Sequence, residues 1–434
     1  MNTRETLKVN QYNHLEIGGV DCVMLAKKYS TPIYIFDIKH VEDMCKTYSN
    51  ALTKYYGNGK VYYASKAFCC KEIYRILKTQ HLGADAVSLG EMYTAKKAGF
   101  DFKNIILHGN NKSFDEIDYA IKNHVGYVVI DSIEDLDLVS LIASKYKVKQ
   151  NVLIRVNPGI EAHTHKFIQT ATPDSKFGFS LDNGDALGVI KNAINKESIN
   201  LLGLHAHIGS QIFDEQGFIL ALRKLTSFYY DVKKELSFDF SVLNLGGGIG
   251  IWYNEDDRKM SLLDYDSFVE RISLELKDCI KKHNLLDLHL ILEPGRSIVG
   301  EAGITLYTVG SVKKIEGIKN YLAIDGGMFE NPRYALYQAK YTAVAADKMN
   351  EQPSTYYSIA GKCCESGDII TENSYLPEMK RGELIAVLST GAYNYSMSSN
   401  YNRNLIPTVV AVKDGKSKVI VKGQTLKDLI KNDL

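Results

Sequence analysis

The chain has 434 residues, 45% of them hydrophobic and 24% charged, and a formal net charge of +1. That balance is ordinary for a globular protein and excludes a general electrostatic draw on nucleic acid or an anionic membrane, so a small-molecule partner is expected. At roughly 100–200 residues per domain, the length predicts two or three domains, or one large barrel with a companion. The seven cysteines include no CxxC pair, and their odd number predicts reduced thiols in a cytoplasmic protein. The opening MNTRETLKVNQYNHLEIGG has no basic segment followed by an apolar run, and no stretch approaches about 18 apolar residues. Neither a secretory signal nor a membrane span is predicted.

In chain order, PIYIFD (32–37) reads as a strand that suits either of two domains. Short apolar runs then alternate with amphipathic stretches. The runs are KVYYAS, GADAVS, NIILHG, GYVVID, NVLIRVN, LLGLHAHIG, FSVLNLGG and LHLILEPG. Between the first of them lie KEIYRILKTQ, LGEMYTAKKAG, SFDEIDYAIKNH and SIEDLDLVSLIASK, which carry helical periodicity. Strand alternating with helix predicts parallel β/α units, and eight of them predict a closed (β/α)8 barrel of the TIM type. An open doubly wound sheet is the alternative. HTHKFIQTATPDSKFGFS (163–180), an insertion after the fifth run, is a candidate active-site loop. Beyond about residue 300 the texture changes. ITLYTVGSVKKI, YLAID, TYYSIAG, ELIAVLS, TVVAVK and KVIVKG read as strands with almost no helix between them, which predicts an all-β domain.

The ends of the eight runs carry Lys66; Asp85 and Ser88; His108 and Asn110; Asp131; Arg155 and Asn157; His205 and His207; Gly246, Gly247 and Gly248; and Glu293 with Arg296. In barrels of this type the active site lies at the C-terminal ends of the strands. A lone Asp after a strand usually caps a helix, which is the reading for Asp131. The HxH of LHAHIGSQI puts His205 and His207 on one face of a strand, a spacing that suits zinc in a metal-dependent hydrolase. Such a site would want a ligand on the first strand, where Lys66 stands instead, so no metal is expected. The glycine turn of LNLGGGIG follows the seventh run, where barrels often bind phosphate through backbone N–H groups.

A reactive lysine, a glycine turn, a histidine and a carboxylate on one rim suit pyridoxal 5'-phosphate, which binds a lysine covalently and needs a partner for its ring nitrogen. At ~4 Å and an effective dielectric near 20, Glu293 would attract a protonated ring by about 4 kcal/mol, equivalent to roughly three pKa units at most.

These residues sit in ten ordered motifs: YYASKAF, GADAVSLGE, EAHTHKFIQT, SKFGFS, HAHIGSQI, LNLGGGIG, EPGRSIVG, DGGMFENPRYALY, CCESGD and GAYNYSMSSNYN. Through them nearly the whole chain resembles the diaminopimelate decarboxylase family, within the alanine-racemase-like (fold type III) pyridoxal-phosphate enzymes. The resemblance implies a barrel over 38–300 and a β-barrel or sandwich built from 1–37 and 301–434. It implies that Lys66 anchors the cofactor and that His207 stacks on its ring. Ser210, Gly246, Gly247, Gly248 and Tyr393 would bind phosphate, and Glu293 would face the ring nitrogen. Asp85, Gly295 and Arg296 complete the expected cofactor contacts. Arg296, Arg333, Tyr337 and Tyr393 would hold the substrate, with Cys364 and Glu365 lent by the second subunit of a homodimer. Lys66, His207, Glu293 and Cys364 are the expected catalytic set, with Cys364 and Lys66 as the two candidate proton donors.

The implied reaction is decarboxylation of meso-2,6-diaminopimelate to L-lysine. Related decarboxylases of ornithine, lysine, arginine or carboxynorspermidine would share the cofactor site. Those with simple diamine products need no clamp such as Arg333 for a distal carboxylate. A racemase of this fold places arginine, not Glu293, at the ring nitrogen, and a non-enzymatic cofactor carrier would lack the second domain. Three positions depart from the family pattern: Lys362 and Tyr334 replace common prolines, and Lys166 replaces a common acid. The lost prolines are expected to loosen the loops that carry Glu365 and Arg333.

Overall fold

The computed structural model describes residues 6–160, 175–260 and 264–434. It divides into two compact units, one of Met44–Gly250 and Ser261–Gly295, the other of Met1–Asp43, Ile251–Met260 and Arg296–Leu434.

The first unit is the predicted barrel. Its strands are Gly59–Ala64, Gly83–Ala86, Ile105–Leu107, Tyr127–Ile130, Gln150–Asn157, Ile199–His205, Val242–Asn244 and His289–Leu292. Every neighbouring pair is parallel, and the eighth strand pairs with the first through Leu292 and Val61, which closes the ring and rules out the open sheet. Buried β-branched, aromatic and leucine side chains dominate these strands, as both faces of a parallel sheet are covered. Tyr62, Ile106, Val129, Leu153, Val242 and Ile291 form one cluster contributed by six of them. The helices between strands start where short polar side chains cap them. Ser88 accepts from Glu91 N–H, Ser132 from Asp135 N–H, and Ser113 forms a capping box with Glu116.

Asp131 is not a helix cap. Ser132 does that work, and Asp131 pairs with Arg155 at 3.5 Å and accepts from Gly178 N–H at 2.9 Å. The proposed active-site loop falls largely on 161–174, outside the described residues, as do EAHTHKFIQT and Lys166. Its returning end is held by this Asp131–Arg155 pair, with the Arg155 guanidinium 4.1 Å from the centre of the Phe177 ring.

The second unit is built on a sheet of nine strands. Its long strand Gly303–Ile315 pairs antiparallel with Lys319–Ile324, Leu384–Val387 and Ile33–Asp37. Ile33–Asp37 also pairs parallel with Thr408–Lys413, so PIYIFD belongs to this unit. Ile369–Leu376 and Ala343–Ala345 are strands that the apolar pattern does not announce: IITENSYL is interrupted by polar residues, and AVA is too short to stand out. No described helix is long and apolar enough to cross a membrane, and none of the seven cysteines is in a disulfide.

Candidate active site

In the barrel unit, the first strand ends at Ala64, and residues 65–67 form a single tight turn. Three buried contacts fix that turn. Ser65 N–H donates to Asp85 Oδ1 at 3.1 Å, the Tyr74 hydroxyl to Ser65 Oγ at 3.0 Å, and the Tyr63 hydroxyl to Phe68 O at 2.8 Å. Lys66 is the exposed residue among buried neighbours. An apolar strand therefore delivers a solvent-accessible amine on a rigid base. Asp85 has its carboxyl pushed up to about 6, chiefly by burial, with His108 pulling the other way.

Glu293 closes the eighth strand and is 4% exposed. Its Oε1 accepts from His108 Nε2 and from Asn244 Nδ2, both at 2.8 Å, and its Oε2 lies 3.3 Å from His205 Nε2. Burial alone would raise this carboxyl. The adjoining imidazoles and their hydrogen bonds outweigh it and hold Glu293 well below the usual range, hence ionised. His205 is pushed down to about 3, first by burial, and is neutral at pH 7. Its Nε2–H faces Glu293, and its Nδ1 has no hydrogen-bond partner among the described residues. An unpaired lone pair on that side fits this tautomer.

The HxH motif does not act as a pair. The strand ends at His205, so the two-residue alternation stops there. His205 joins His108 and Glu293, whose ligand atoms lie within 4.8 Å of one another. The 2.8 Å contact within that trio has hydrogen-bond length. His207 sits instead by the glycine turn, its Nδ1 3.4 Å from Gly247 N–H. Burial, then the charges of Lys66 and Arg155, keep it well below the ordinary histidine range. Gly246 N–H donates to Asn244 Oδ1 at 2.8 Å, and Glu293 N–H to Gly246 O at 2.7 Å, which ties the turn to the carboxylate. A Cβ on Gly247 would lie 2.0 Å from Glu293 O, and one on Gly248, at φ +112°, 2.2 Å from Gly209 O. No side chain fits there, and the backbone itself forms the surface. Gly295 is packed in the same manner, its Cβ position 2.7 Å from Ala64 Cβ. Ser210 lies half-buried three residues beyond His207.

In the other unit, Arg333 is buried, and its Nη1 donates to the hydroxyls of Tyr253 and Tyr341, both at 2.8 Å. Arg296 Nη1 donates to the same Tyr253 hydroxyl, and its guanidinium lies 4.7 Å from the centre of the Tyr393 ring. Tyr393 takes φ +61°, a left-handed conformation rare for an aromatic residue. Tyr253 thus links two predicted substrate residues, and sequence reasoning missed it. A lone tyrosine after GGGIGIW carries no signal of its own. Tyr337 is half-buried at the end of the short helix Arg333–Tyr337. Cys364, Glu365 and Ser366 are all exposed on a loop that Asp368 braces. The Asp368 carboxylate accepts from Cys363 N–H at 2.7 Å and Met328 N–H at 2.6 Å. Lys362 stands where proline is common, and its N–H donates to Gly326 O at 3.0 Å, a bond proline cannot make. Tyr334 likewise gains a bond, from its hydroxyl to Glu372 at 2.7 Å.

The barrel's donor set fits pyridoxal phosphate. It offers an accessible amine, a buried anion suited to a protonated ring nitrogen, and a turn of bare backbone of the kind that accepts phosphate. Residues 38–300 match the pyridoxal-binding domain of the pyridoxal-dependent decarboxylases, and the chain belongs to that family. Within it, the chain is 45% identical over 429 residues to the diaminopimelate decarboxylase of Bacillus subtilis (strain 168), covering 99% of this chain and 97% of that one. The diaminopimelate decarboxylase of Staphylococcus aureus (strain COL) is 42% identical, with 99% of each chain covered. A solved diaminopimelate decarboxylase from M. jannaschii, in complex with L-lysine, superposes with a TM-score of 0.91 at 32% identity, covering 100% of this chain and 99% of that one.

Proposed function

We propose that this chain decarboxylates meso-2,6-diaminopimelate to L-lysine with pyridoxal 5'-phosphate as cofactor. The observation that carries the chemistry is the ionised, triply supported Glu293. Bound, the cofactor supplies a cationic ring that draws off the electron pair left when the carboxylate departs. Glu293 keeps that ring protonated, and His108, His205 and Asn244 keep Glu293 ionised and aimed. Lys66 anchors the aldehyde, with Asp85 fixing the turn that presents it. His207 supports the ring, and Ser210, Gly246, Gly247, Gly248, Gly295 and Tyr393 serve the phosphate side. An arginine in place of Glu293 would serve a racemase.

The distal end of the substrate carries both a carboxylate and an ammonium. Arg333 is held by tyrosine hydroxyls that hydrogen-bond without neutralising it, so its charge remains for a carboxylate, and Arg296 shares one of those hydroxyls. This supports diaminopimelate over substrates that give simple diamines, as do the names of the relatives. Glu365 suits the ammonium and Cys364 the proton return, both lent by the partner of a homodimer. The exposure of their braced loop supports that role. Tyr337 completes the substrate contacts. Functionally the chain divides into a cofactor domain at 38–300 and a substrate and dimer domain of 1–37 with 301–434. Reduced cysteines support a cytoplasmic location, and the near-zero net charge supports a small-molecule partner rather than nucleic acid.

The test is to supply meso-diaminopimelate, ornithine and lysine separately to the pure protein and compare carbon dioxide release. Release from diaminopimelate alone is expected. Equal or greater release from ornithine or lysine overturns the substrate assignment.

A further inference from the structure

The N-terminal mouth of the barrel, at the ends of the strands away from Lys66 and Glu293, holds a cavity of about 510 Å³. Five of its lining side chains are basic: Lys60, Lys103, Lys149, His124 and His289. No lining residue is Asp or Glu. Lys103 and Lys149 are exposed and form no ion pair among the described residues. Lys60 is half-buried, with its Nζ 2.5 Å from Asn104 Oδ1. Burial depresses its amine, and Asp101 opposes that.

The neutral amides of the cavity are already committed. Gln150 Nε2 donates to Val125 O and Asn151 O, and Asn151 Nδ2 donates to Gly126 O. The hydroxyls of Tyr62 and Tyr127 form no hydrogen bond among the described residues, and burial raises both, so they are protonated donors. Lys60 bonds Asn104 Oδ1 and His289 Nδ1 lies 3.0 Å from Asn58 Oδ1, so what remains to meet a ligand is chiefly Lys103, Lys149 and the two tyrosine hydroxyls, which have no acceptor among the described residues. Ile121, Val125 and Val148 line the same space. Apolar walls strengthen the attraction between such a cluster and an anion.

We propose that this cavity is a second binding site, distinct from the substrate site, that takes a small multivalent oxyanion of the phosphate type. Three lysines around one mouth repel one another, and a single monovalent ion would offset only part of that. An ion with two or more charges spread over several oxygens engages the ammonium groups together, as lysine does with phosphate elsewhere. The volume admits pyrophosphate and leaves room for a small organic group attached to it.

The experiment is calorimetric titration of the holoenzyme, its cofactor in place, with pyrophosphate at an ionic strength held constant by chloride. Saturable binding of one ion per chain is expected. A chain carrying both Lys103→Glu and Lys149→Glu should bind at least about tenfold more weakly. Both positions are exposed and lie at the opposite ends of the strands from the proposed chemistry, so decarboxylation should be unchanged. The milder Lys149→Gln should give a smaller loss of affinity. No saturable binding by the unaltered chain overturns the proposal. So does equal affinity in the doubly reversed chain, which would place the ion elsewhere.

Discussion

The two units each bury a glutamate and set it in opposite states. In the barrel, Glu293 is surrounded by two imidazoles and an amide that donate to it, and it stays ionised. In the β unit, Glu330 is fully buried, accepts from the Tyr307 hydroxyl at 2.7 Å and Gly327 N–H at 3.2 Å, and pairs with no cation among the described residues. Burial pushes it up to about 8, with hydrogen bonds offsetting only part of the effect, so it is mostly protonated at pH 7. Burial acts on both in the same direction. What separates them is the number and kind of donors within reach. One glutamate is prepared to face a positive ring, whereas the other serves as a neutral hydrogen-bonding group that ties the loop at Gly327 to the strand Gly303–Ile315.

The sharpest break in this comparison would come at Lys66. Lys66→Ala should abolish decarboxylation and the absorption of the lysine-bound cofactor while keeping the fold, and borohydride should fix the cofactor of the unaltered chain to Lys66 alone. Label on another lysine would move the chemistry away from Glu293. Next in size is Arg333→Ala. Loss of a charged hydrogen-bonding partner should lower kcat/KM for diaminopimelate by about 10- to 100-fold, and a diamine-forming substrate should suffer less. Equal losses on both would make Arg333 structural. Tyr253→Phe, which removes the hydroxyl shared by Arg333 and Arg296, should cost about 1 kcal/mol, roughly fivefold, and mainly in KM.

The last prediction concerns stability rather than rate. The folded chain keeps a proton on Glu330 that the unfolded chain gives up near pH 4.5, so this residue's contribution falls as pH rises toward 8. Linkage bounds that loss at about 5 kcal/mol. Glu330→Gln should flatten the decline between pH 5 and pH 8 in denaturant melts. An unchanged slope would mean that Glu330 is ionised as Glu293 is.

The barrel's contribution was largely readable because period-two strands end in fixed places, and a polar residue at the end of an apolar run stands out. Lys66, Asp85, the glycine turn and Glu293 all carry that signal. His108 and His205 were visible as strand ends, but their shared task was not, since it depends on three strands converging on one carboxylate. Asn244 stood inside an apolar run, where an asparagine two residues before a glycine turn was the available clue. The arginine supports were hidden for a different reason. Tyr253 lies 80 residues from Arg333 along the chain, and in a chain with 28 tyrosines nothing local marks one as a hydroxyl shared by two guanidinium groups. Replacement of proline by Lys362 suggested a looser loop, but sequence could not show the acceptor that its freed N–H would find.

The most direct measurement sets Glu293→Gln beside Glu330→Gln in the same assay of carbon dioxide release from meso-diaminopimelate. Both changes keep size and remove the carboxyl. Loss of about 4 kcal/mol at Glu293 should lower kcat/KM by up to about three powers of ten, with cofactor still bound. Glu330→Gln should remain within about twofold of the unaltered chain, because it replaces one neutral group by another. Similar activities for the two variants, or a larger loss at Glu330, would contradict the assignment of Glu293 as the ionised partner of the cofactor ring.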